Sequence, residues 1–371
     1  MAFMSASGAI MYFTFPLYIH DISGSYTAVG LSVSLPYLFF ALGSYLWGRL
    51  SDRLRRRGSL IVVGIVGSSL LFPLYQHMPS VWAAIALRAL QFSFLGIHAL
   101  YPTMASEYMP DRKAWAISRV EMSAGLGATM GSVIGGITLM GWIPLGASGY
   151  NTTFMLCLLL SSISWVMLLF PPDSYRGRDP VLRSTPAGVL GNSALRPVIL
   201  LSLITFLLFT GTNTILAVFP NYLSSLGLDM IWIGVFVALA SATGIAAAHV
   251  TPDVIDKMGA RKTYVIAIVA YVLVALGYSM VDNLWFILLL WMIPLWNFFT
   301  VSTATLAAQY SSEEQRGTAM GLLRGSLAAG TLIGATISGF LVDLIGFQRG
   351  FLLGAGIICI SLAVALIWDG K

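Results

Sequence analysis

The sequence predicts an all-α membrane protein with twelve transmembrane helices in two pseudo-symmetric six-helix bundles. Three observations support this fold class. The composition is 57% hydrophobic and 9% charged, whereas a soluble protein carries about 25% charged residues. The chain contains apolar runs of roughly 20 residues, the length that a helix needs to cross a bilayer. The two halves also share a pattern of residues at one fixed offset.

The fixed offset is 204 residues. Phe15-Pro16-Leu17-Tyr18 returns at this distance as Phe219-Pro220-Asn221-Tyr222. The same shift relates five further residues to their counterparts: Gly30 to Gly234, Asp52 to Asp256, Arg53 to Lys257, Arg57 to Arg261 and Arg112 to Arg316. One shift that aligns scattered proline, glycine and charged residues indicates two copies of one structural unit.

The individual spans follow from the apolar runs. Backbone groups inside lipid must bond to one another, so these runs are predicted to be helices. In the first half they lie near 1–20, 27–48, 59–77, 80–106, 115–141 and 151–170. In the second half they lie near 197–220, 229–250, 263–281, 284–308, 318–342 and 350–368. The predicted domains are therefore a bundle over 1–170, a cytoplasmic linker over 171–196 and a bundle over 197–371.

Basic residues between the spans predict the orientation of the chain. They concentrate in alternate loops, and the opposite loops contain almost none, with Arg349 as the exception. Positive charge in short loops marks the cytoplasmic side. Both termini are therefore predicted to be cytoplasmic, in a multi-pass protein of the plasma or inner membrane. Met1–Ile19 has no basic leader and is predicted to be the first span rather than a signal peptide.

Several classes of function and partner are not expected. The net charge of +5 reports topology, so no nucleic-acid partner is expected. Cys157 and Cys359 lie inside apolar runs and are interpreted as packing residues, with no disulfide or metal site. The sequence contains no nucleotide-binding loop, His-Glu metal cluster or nucleophile motif, so neither enzymatic activity nor a cofactor is expected. The bilayer is the expected partner of a monomeric chain.

The loop after span 2 carries a recognisable motif. It reads Gly48-Arg49-Leu50-Ser51-Asp52-Arg53-Leu54-Arg55-Arg56-Arg57. This resembles the G-x-L-a-D-r-x-G-r-[KR] signature of the major facilitator superfamily, with Arg55 in place of the second glycine. The copy in the second half keeps that glycine as Gly259 and replaces the first with Pro252. With the spans and the repeat, the resemblance covers the whole chain. It implies the fold of that superfamily and transport by alternating access.

The resemblance also implies a cytoplasmic gate. A carboxylate at a helix end seeks a helix N-terminus or an arginine. In the family's fold, span 2 packs beside span 11 and span 8 beside span 5. Asp52 would then contact the start of span 11 near Arg316 and Arg324, and Asp256 the start of span 5 near Arg112 and Arg119. The alternative is ordinary loop structure. The predicted gate comprises Gly48, Asp52, Arg53, Arg57, Asp256, Lys257, Arg261, Glu107, Arg112 and Arg316.

Ionisable residues inside spans are candidate functional residues, because burying their charge in lipid is costly. Arg88-Ala89-Leu90-Gln91 resembles the R-x-x-Q part of a span-4 motif associated with proton coupling in the family, with Phe92 at the expected glycine. The alternative is a structural arginine that pairs with backbone carbonyls or a neighbouring helix. His98, in the same span, titrates near neutral pH and is a candidate proton sensor. The alternative is a hydrogen-bonded packing residue.

Glu121 and Arg324 form a second candidate pair for proton coupling. Aligning Gly127–Gly131 with Gly330–Gly334 places these two residues at equivalent positions of spans 5 and 11. Burial favours the protonated form of an acid and a nearby arginine favours its carboxylate. A proton carrier needs this balance. The alternative is a static salt bridge at the cytoplasmic gate.

Span 5 is rich in glycine. It resembles the G-x-x-x-G-P-x-x-G-G motif of antiporters in the superfamily, with Ser132 in place of proline. Small residues at this spacing let two helices approach closely. The resemblance favours export by antiport. The glycines of this predicted packing motif are Gly127, Gly131, Gly135 and Gly136.

The resemblance further implies that spans 1, 4, 7 and 10 line a central cavity. The substrate-cavity candidates are Tyr18, Gln91, Tyr101, Asn213, Asn221, Trp291, Trp296 and Asn297. Their mixture of aromatic and amide groups suits a small neutral or anionic organic solute better than a dication. We therefore expect export of such a solute in exchange for protons, powered by a gradient of protons or another cation. The alternatives are proton-coupled uptake of a nutrient, such as a sugar or organic acid, and a non-transporting membrane sensor.

Overall fold

The computed structural model describes residues 1–54, 57–101, 104, 109, 113–139, 149–168, 192–311 and 316–368. In the described part of the first half, two short 3-10 helices, Phe72–His77 and Gly96–Ala99, continue the third and fourth spans. The α-helices of this half are α1 (Ala2–Ser23), α2 (Tyr26–Leu54), α3 (Arg57–Leu70), α4 (Val81–Leu95), α5 (Lys113–Leu139) and α6 (Gly149–Leu168).

The second half repeats this succession but breaks two of its spans. Its helices are α7 (Asn192–Leu216), α8 (Phe219–Ser225), α9 (Met230–Met258), α10 (Ala260–Met280), α11 (Leu284–Trp291), α12 (Leu295–Tyr310), α13 (Arg316–Ile345) and α14 (Phe347–Ile367). The breaks lie just before Pro220 and at Pro294, because proline lacks the N–H that a continuous helix needs. Pro16, the repeat counterpart of Pro220, instead lies inside the unbroken α1.

Most of these helices suit a bilayer. Among the described residues, eleven segments are long and apolar enough to cross a membrane. The remaining predicted span, the sixth, corresponds to the 20-residue α6, and its first turn is made polar by Tyr150, Asn151 and Thr152. Large apolar side chains such as Leu70 and Ile367 are mostly exposed on the helix surfaces. A soluble protein rarely exposes so much apolar surface to water, whereas lipid covers such a surface in a membrane.

The chain divides into two compact units. Unit 1 comprises Met1–Gly24, Leu35–Leu182 and Gly227–Ser241, and unit 2 comprises Ser25–Ser34, Arg183–Leu226 and Ala242–Lys371. Two helices are therefore shared between the units. Helix α2 begins in unit 2 and ends in unit 1, whereas α9 begins in unit 1 and ends in unit 2.

In unit 1, α1 packs closely along α5. A Cβ atom on Gly127 or Gly131 would collide with the backbone carbonyl of Ala2 or Ala6. Unit 2 repeats this packing with α7 and α13, where a Cβ on Gly330 or Gly334 would meet the carbonyl of Phe206 or Thr210. Glycine at these positions removes the side chain that would separate the helices.

The repeat pair Gly30 and Gly234 also has a structural reason. A Cβ on Gly30 would collide with the carbonyl of Ala335 in unit 2, and one on Gly234 with the carbonyl of Ser132 in unit 1. Both glycines therefore let their helix approach the glycine-rich helix of the same unit, α13 or α5. The offset of 204 residues thus reflects the same backbone contact made twice.

The last helix of each half is anchored in a similar way. Cys157 of α6 donates through its sulfur to the Ser7 carbonyl of α1 at 3.7 Å. Ser361, its counterpart at the 204-residue offset, donates its hydroxyl to the Ile204 carbonyl of α7 at 3.0 Å. Both residues are small donors that bond to the backbone of a packed neighbour, where lipid offers no other partner.

The N-termini of α4 and α11 also match. Ser80 accepts a hydrogen bond from the Ala83 amide at 3.2 Å, and Asn283 accepts one from the Phe286 amide at 3.1 Å. Both side chains therefore act as helix N-caps. The tryptophans two residues further on, Trp82 and Trp285, are 61% and 73% exposed. Exposed tryptophan at a helix end is typical of the membrane–water interface.

Asp343, near the end of α13, caps the N-terminus of α2 within unit 2. Its carboxylate accepts hydrogen bonds from the amides of Tyr26 and Thr27, at 2.9 and 2.7 Å, and from the Ser25 hydroxyl at 3.0 Å. A carboxylate at this position satisfies free amides and complements the positive end of the helix dipole.

Helix α9 supports the break between α11 and α12. The Thr243 hydroxyl donates to the Met292 carbonyl at 2.9 Å, and the Asn297 amide donates to the Gly244 carbonyl at 2.7 Å. The break leaves backbone carbonyls without helical partners, and such groups must be satisfied inside a membrane protein. Two polar side chains therefore hold the broken span against its neighbour.

Candidate functional site

Unit 1 contains a cavity of about 320 Å³ among α1, α2, α4 and the two 3-10 helices. Its walls combine four aromatic rings with small polar groups, and Arg88 and His98 are its ionisable residues. The lining residues are Met4, Ser5, Ser7, Gly8, Tyr37, Phe40, Phe72, Arg88, Phe92, Leu95 and His98.

Arg88 is 6% exposed, although it borders the cavity. Its Nη1 atom donates a hydrogen bond to Gln91 Oε1 at 2.7 Å. The guanidinium carbon lies 4.6 Å from the ring centroid of Phe92 and 5.3 Å from that of Phe15. Gln91 and Phe92 follow Arg88 by three and four residues, so they share one face of α4 with it. Both rings attract the cation through their electron-rich faces.

Gln91 lies behind Arg88 and is fully buried. Its Oε1 also accepts a hydrogen bond from the Tyr75 hydroxyl at 3.0 Å, and its Nε2 donates to the Ser68 carbonyl at 3.0 Å. The amide thus ties α4 to α3 and to the 3-10 helix that follows it. This network fixes the guanidinium in position, because each side-chain bond of Gln91 restrains its Oε1 atom.

The described partners of Arg88 are all uncharged. They are the Gln91 amide, the Tyr75 hydroxyl, which also donates to the same amide oxygen, and the two phenyl rings. Rings and a neutral amide offset only part of the cost of burying a cation, which an anion would offset better. The cavity therefore has a positively charged wall within the described part of unit 1.

His98 lies on the same cavity, in the 3-10 helix after α4. Its ring is 5.5 Å from the ring of Tyr101, in an edge-to-face arrangement. Its Nε2 atom is buried and has no hydrogen-bond partner among the described residues. The structure thus brings two of the four coupling candidates, Arg88 and His98, to one cavity.

The other two coupling candidates are not brought there. The backbone of Glu121 is helical in α5, but its side chain lies outside the described residues. Arg324 is exposed on α13 in unit 2. Their proposed relationship therefore remains a prediction from the glycine alignment.

The predicted cytoplasmic gate is only partly described. Glu107 and Arg112 lie outside the described residues, as do the side chains of Asp52, Arg57 and Arg316. Arg53, Asp256 and Lys257 are exposed near helix ends, and Gly48 is half-buried in the last part of α2. Arg119 and Arg324 are exposed but lie farther inside α5 and α13. The contacts implied for the two aspartates therefore remain predictions.

Arg261 is the gate candidate with a described aromatic contact. Its guanidinium carbon lies 5.1 Å from the ring centroid of Trp368, and that ring packs 5.4 Å from the ring of Tyr310. All three residues belong to unit 2. This stacking joins the start of α10 to the ends of α12 and α14, so Arg261 helps to hold these helix ends together.

The predicted substrate-cavity residues of unit 1 are not among the side chains that line the cavity. Tyr18 donates its hydroxyl to the Tyr75 carbonyl at 3.3 Å. Tyr101 is buried in an apolar cluster with Met4, Leu60 and Ile97. Gln91 holds Arg88, as described above. Gln91 and Tyr101 therefore contact residues that line the cavity, whereas Tyr18 contacts Tyr75.

The predicted substrate-cavity residues of unit 2 contact other residues of the same unit. Asn213 donates to the Phe209 carbonyl at 3.0 Å and to the Thr331 hydroxyl at 3.3 Å. Asn297 supports the break in the tenth span, and Asn221 is buried. Trp291 packs 5.0 Å from Phe219, and Trp296, which is 47% exposed, packs 5.4 Å from Phe209.

Sequence reasoning missed most of the cavity wall. Ser5, Ser7 and Gly8 come from α1, and Tyr37 and Phe40 come from α2. A search for polar residues in spans 1, 4, 7 and 10 cannot find phenylalanines of spans 2 and 3. The available signals were the small residues at the start of span 1 and the aromatic residues one helical turn apart in span 2.

Metal binding has no support within the described residues, which hold no group of three His, Cys, Asp or Glu side chains close enough to share an ion.

The apolar helices define a polytopic membrane protein. The profile of the Major Facilitator Superfamily matches residues 1–305 and 254–371. The chain therefore belongs to this superfamily, and the predicted family and fold class are confirmed.

Related sequences include several bacterial drug-resistance proteins. The multidrug resistance protein MdtG of Proteus mirabilis is 25% identical over 299 residues, which cover 76% of this chain and 72% of that protein. MdtG of Klebsiella pneumoniae is 25% identical over 281 residues, which cover 72% of this chain and 66% of that protein.

Solved transporter structures share the fold. The nucleoside transporter NupG superimposes with a TM-score of 0.81 at 14% sequence identity, covering 99% of this chain and 96% of that chain. A bacterial homologue of the lysosomal transporter Spinster superimposes with a TM-score of 0.79 at 15% identity, covering 99% of this chain and 94% of that chain. At these identities the likeness concerns the fold alone.

Proposed function

We propose that this chain is a secondary active transporter that exports a small organic solute in exchange for protons. The observation that carries the proposal is the cavity of unit 1, where the buried Arg88 borders a space walled by aromatic rings. Aromatic walls with few placed polar groups are typical of sites for small organic ligands. A fixed cation in lipid marks a pathway for solutes or ions more often than a structural element.

Two observations favour export over uptake. The related sequences are named as multidrug resistance proteins, although the identity is only 25%. The glycines of α5 resemble the antiporter motif, and a Cβ on two of them would collide with the backbone of α1. Such close packing excludes lipid and water between the helices, which suits a carrier that must not leak protons.

Proton coupling requires groups that gain and lose a proton during the cycle. His98 is the described candidate on the cavity, whose wall also carries the Arg88 cation. In the proposed cycle, the proton would bind at His98 and the solute in the space beside Arg88. Glu121 and Arg324 remain the second candidate pair. No organic cofactor enters the proposed cycle, in which a gradient of protons supplies the energy.

The proposed setting is the inner membrane of a bacterium, with both termini in the cytoplasm. The basic loops support this orientation through the positive-inside rule. In the proposed cycle, two six-helix halves of a monomer expose the site alternately to the two sides.

The test is a transport assay with purified protein in liposomes that contain a pH-sensitive dye. A pH gradient is imposed, and a panel of dyes and metabolites is added one at a time. Proton movement opposite to the solute supports export by antiport. Movement in the same direction indicates proton-coupled uptake instead. An absence of coupled movement for every solute, in vesicles whose protein is correctly folded, contradicts the proposal and favours a sensor.

A further inference from the structure

Arg88 is a buried cation whose described partners are neutral. The hydrogen bond to Gln91 and the rings of Phe15 and Phe92 hold the guanidinium but do not neutralise it. A carboxylate that reached this group would exchange its hydration for a charge-assisted bond in a site of low dielectric constant, where such bonds are strong. The geometry thus favours an anion as the occupant of the cavity.

The other residues that line the cavity favour a ligand with an aromatic ring. Tyr37, Phe40, Phe72 and Phe92 face the same cavity of about 320 Å³. This volume is near the lower end of the roughly 300–1,000 Å³ typical of ligand sites. Aromatic walls in a small space favour one or two flat rings, which gain from both burial and ring–ring contact.

We infer that the cavity of unit 1 binds a small aromatic carboxylate, with the carboxylate at Arg88 and its ring between Tyr37, Phe40 and Phe92. This inference rests on the proposed function, whose substrate class it names. It concerns binding, so it is testable without a membrane gradient. Ser5 offers a hydroxyl group on the α1 wall of this cavity, whereas the Ser7 hydroxyl donates to the Met4 carbonyl at 2.8 Å.

The probe is 2-naphthoate, which is fluorescent, and the protein is the full chain in detergent or nanodiscs. The matched ligands are 2-naphthamide, 2-naphthylmethylamine and acetate. We expect 2-naphthoate to bind at least tenfold more tightly than the neutral amide. The amine should bind more weakly still, because its ammonium group would meet the Arg88 guanidinium. Acetate should bind at least tenfold more weakly than 2-naphthoate, because it lacks the ring.

Two variants distinguish the contribution of the Arg88 charge to binding from that of the shape of the cavity. Arg88→Gln removes the cation, and we expect at least a tenfold loss of 2-naphthoate affinity with little change for 2-naphthamide. Gly8→Leu fills the cavity, since Gly8 borders it and a Cβ there meets nothing within 4 Å. We expect this variant to lose both ligands. Gly356→Leu is the matched control, because Gly356 is also exposed with nothing within 4 Å but lies on α14 in unit 2.

Equal affinity for 2-naphthoate and 2-naphthamide would overturn the inference, as would full 2-naphthoate affinity in Arg88→Gln. If Arg88→Gln fails to fold, the neutral–anion comparison on the wild-type chain still decides. The two proposals fail separately. Proton-coupled transport of neutral solutes without 2-naphthoate binding would refute only the anion site. Selective 2-naphthoate binding without transport in liposomes would refute only the exporter.

Discussion

Arg88 Nη1 and Gln91 Oε1 lie 2.7 Å apart inside unit 1. The same oxygen accepts a hydrogen bond from the Tyr75 hydroxyl. One amide therefore orients both the Arg88 guanidinium and the 3-10 helix that follows α3. The cation faces the cavity on the other side. The pair therefore couples the structure of the bundle to the charge of the proposed binding site.

Changing Gln91 should separate these two roles. Gln91→Leu removes the bonds that Gln91 makes to Arg88, Tyr75 and the Ser68 carbonyl, and an unsatisfied buried polar group costs about 1–3 kcal/mol. We expect a lower unfolding temperature in detergent, measured by the intrinsic fluorescence of the protein. Gln91→Glu keeps the shape and the acceptor for Tyr75 and Arg88, loses the bond to the Ser68 carbonyl, and adds a carboxylate beside Arg88. This variant should fold but bind 2-naphthoate at least tenfold more weakly, and unchanged anion affinity in a folded Gln91→Glu would contradict the charge argument.

Gly131 should tolerate no larger side chain. A Cβ there would collide with the backbone of Ala6, which cannot move without shifting α1. Overpacking of this kind costs about 3 kcal/mol. We expect Gly131→Leu to reduce the yield of monodisperse protein in size-exclusion chromatography. Gly321→Leu is the control, because a Cβ on Gly321 meets nothing within 4 Å. Equal yields of the two variants would contradict the packing described for α1 and α5.

Asp343 should stabilise the start of α2. Asp343→Ala removes an acceptor from two amides and one hydroxyl, and loss of such a cap costs about 1–2 kcal/mol. Asp343→Asn, which keeps an acceptor oxygen but no charge, should lose less. The measurement is hydrogen exchange at Tyr26 and Thr27, followed by mass spectrometry. Asp229→Asn serves as the control acid, since the Asp229 backbone carbonyl accepts the described hydrogen bonds of this residue, from the amides of Trp232 and Ile233. Unchanged exchange in Asp343→Ala would refute the cap.

Thr243 should stabilise the broken tenth span. Thr243→Val keeps the volume but removes the bond to the Met292 carbonyl. Side-chain hydrogen bonds in membrane proteins are worth about 0.6 kcal/mol on average and up to about 1.7 kcal/mol. We expect a loss in this range, measured by reversible unfolding in mixed detergent. Thr336→Val is the control, because Thr336 is exposed and bonds to Leu332 of its own helix. A loss as large in Thr336→Val would show that the broken span has no special need of the bond.

Architecture was predictable from the sequence where the backbone dictates residue type. Gly30 and Gly234 each remove a collision with a neighbouring carbonyl, so their shared offset has a direct steric cause. That Arg88 is a candidate site residue was predictable, since a cation inside an apolar run has few structural uses, and the structure places it on the wall of a cavity. The break before Pro220 was not predictable, because its counterpart Pro16 lies inside a continuous helix. The neighbours of a proline decide whether its helix breaks.

The cavity wall was harder to predict than the charge. Phe40 and Phe72 look like any lipid-facing or packing residue in an apolar run, and only tertiary packing places them beside Arg88. Gln91 was predicted to contact the solute, but it lies behind Arg88, where its bonds to Tyr75 and Ser68 hold it. A polar side chain inside a span requires hydrogen-bond partners. The sequence alone does not show whether those partners belong to a ligand or to the protein itself.

The proposed exchange of protons for solute through the cavity of unit 1 is tested most directly by comparing proton flux in the wild-type protein and two variants. Wild-type protein, Gly8→Leu and Gly356→Leu are placed in separate liposomes with a pH-sensitive dye inside. A pH gradient is imposed, and a solute from the panel that moves protons through the wild-type protein is then added. We expect solute-dependent proton flux in the wild-type protein and in Gly356→Leu, and at least a tenfold reduction in Gly8→Leu. Undiminished flux in a folded Gly8→Leu would show that solute and protons cross elsewhere.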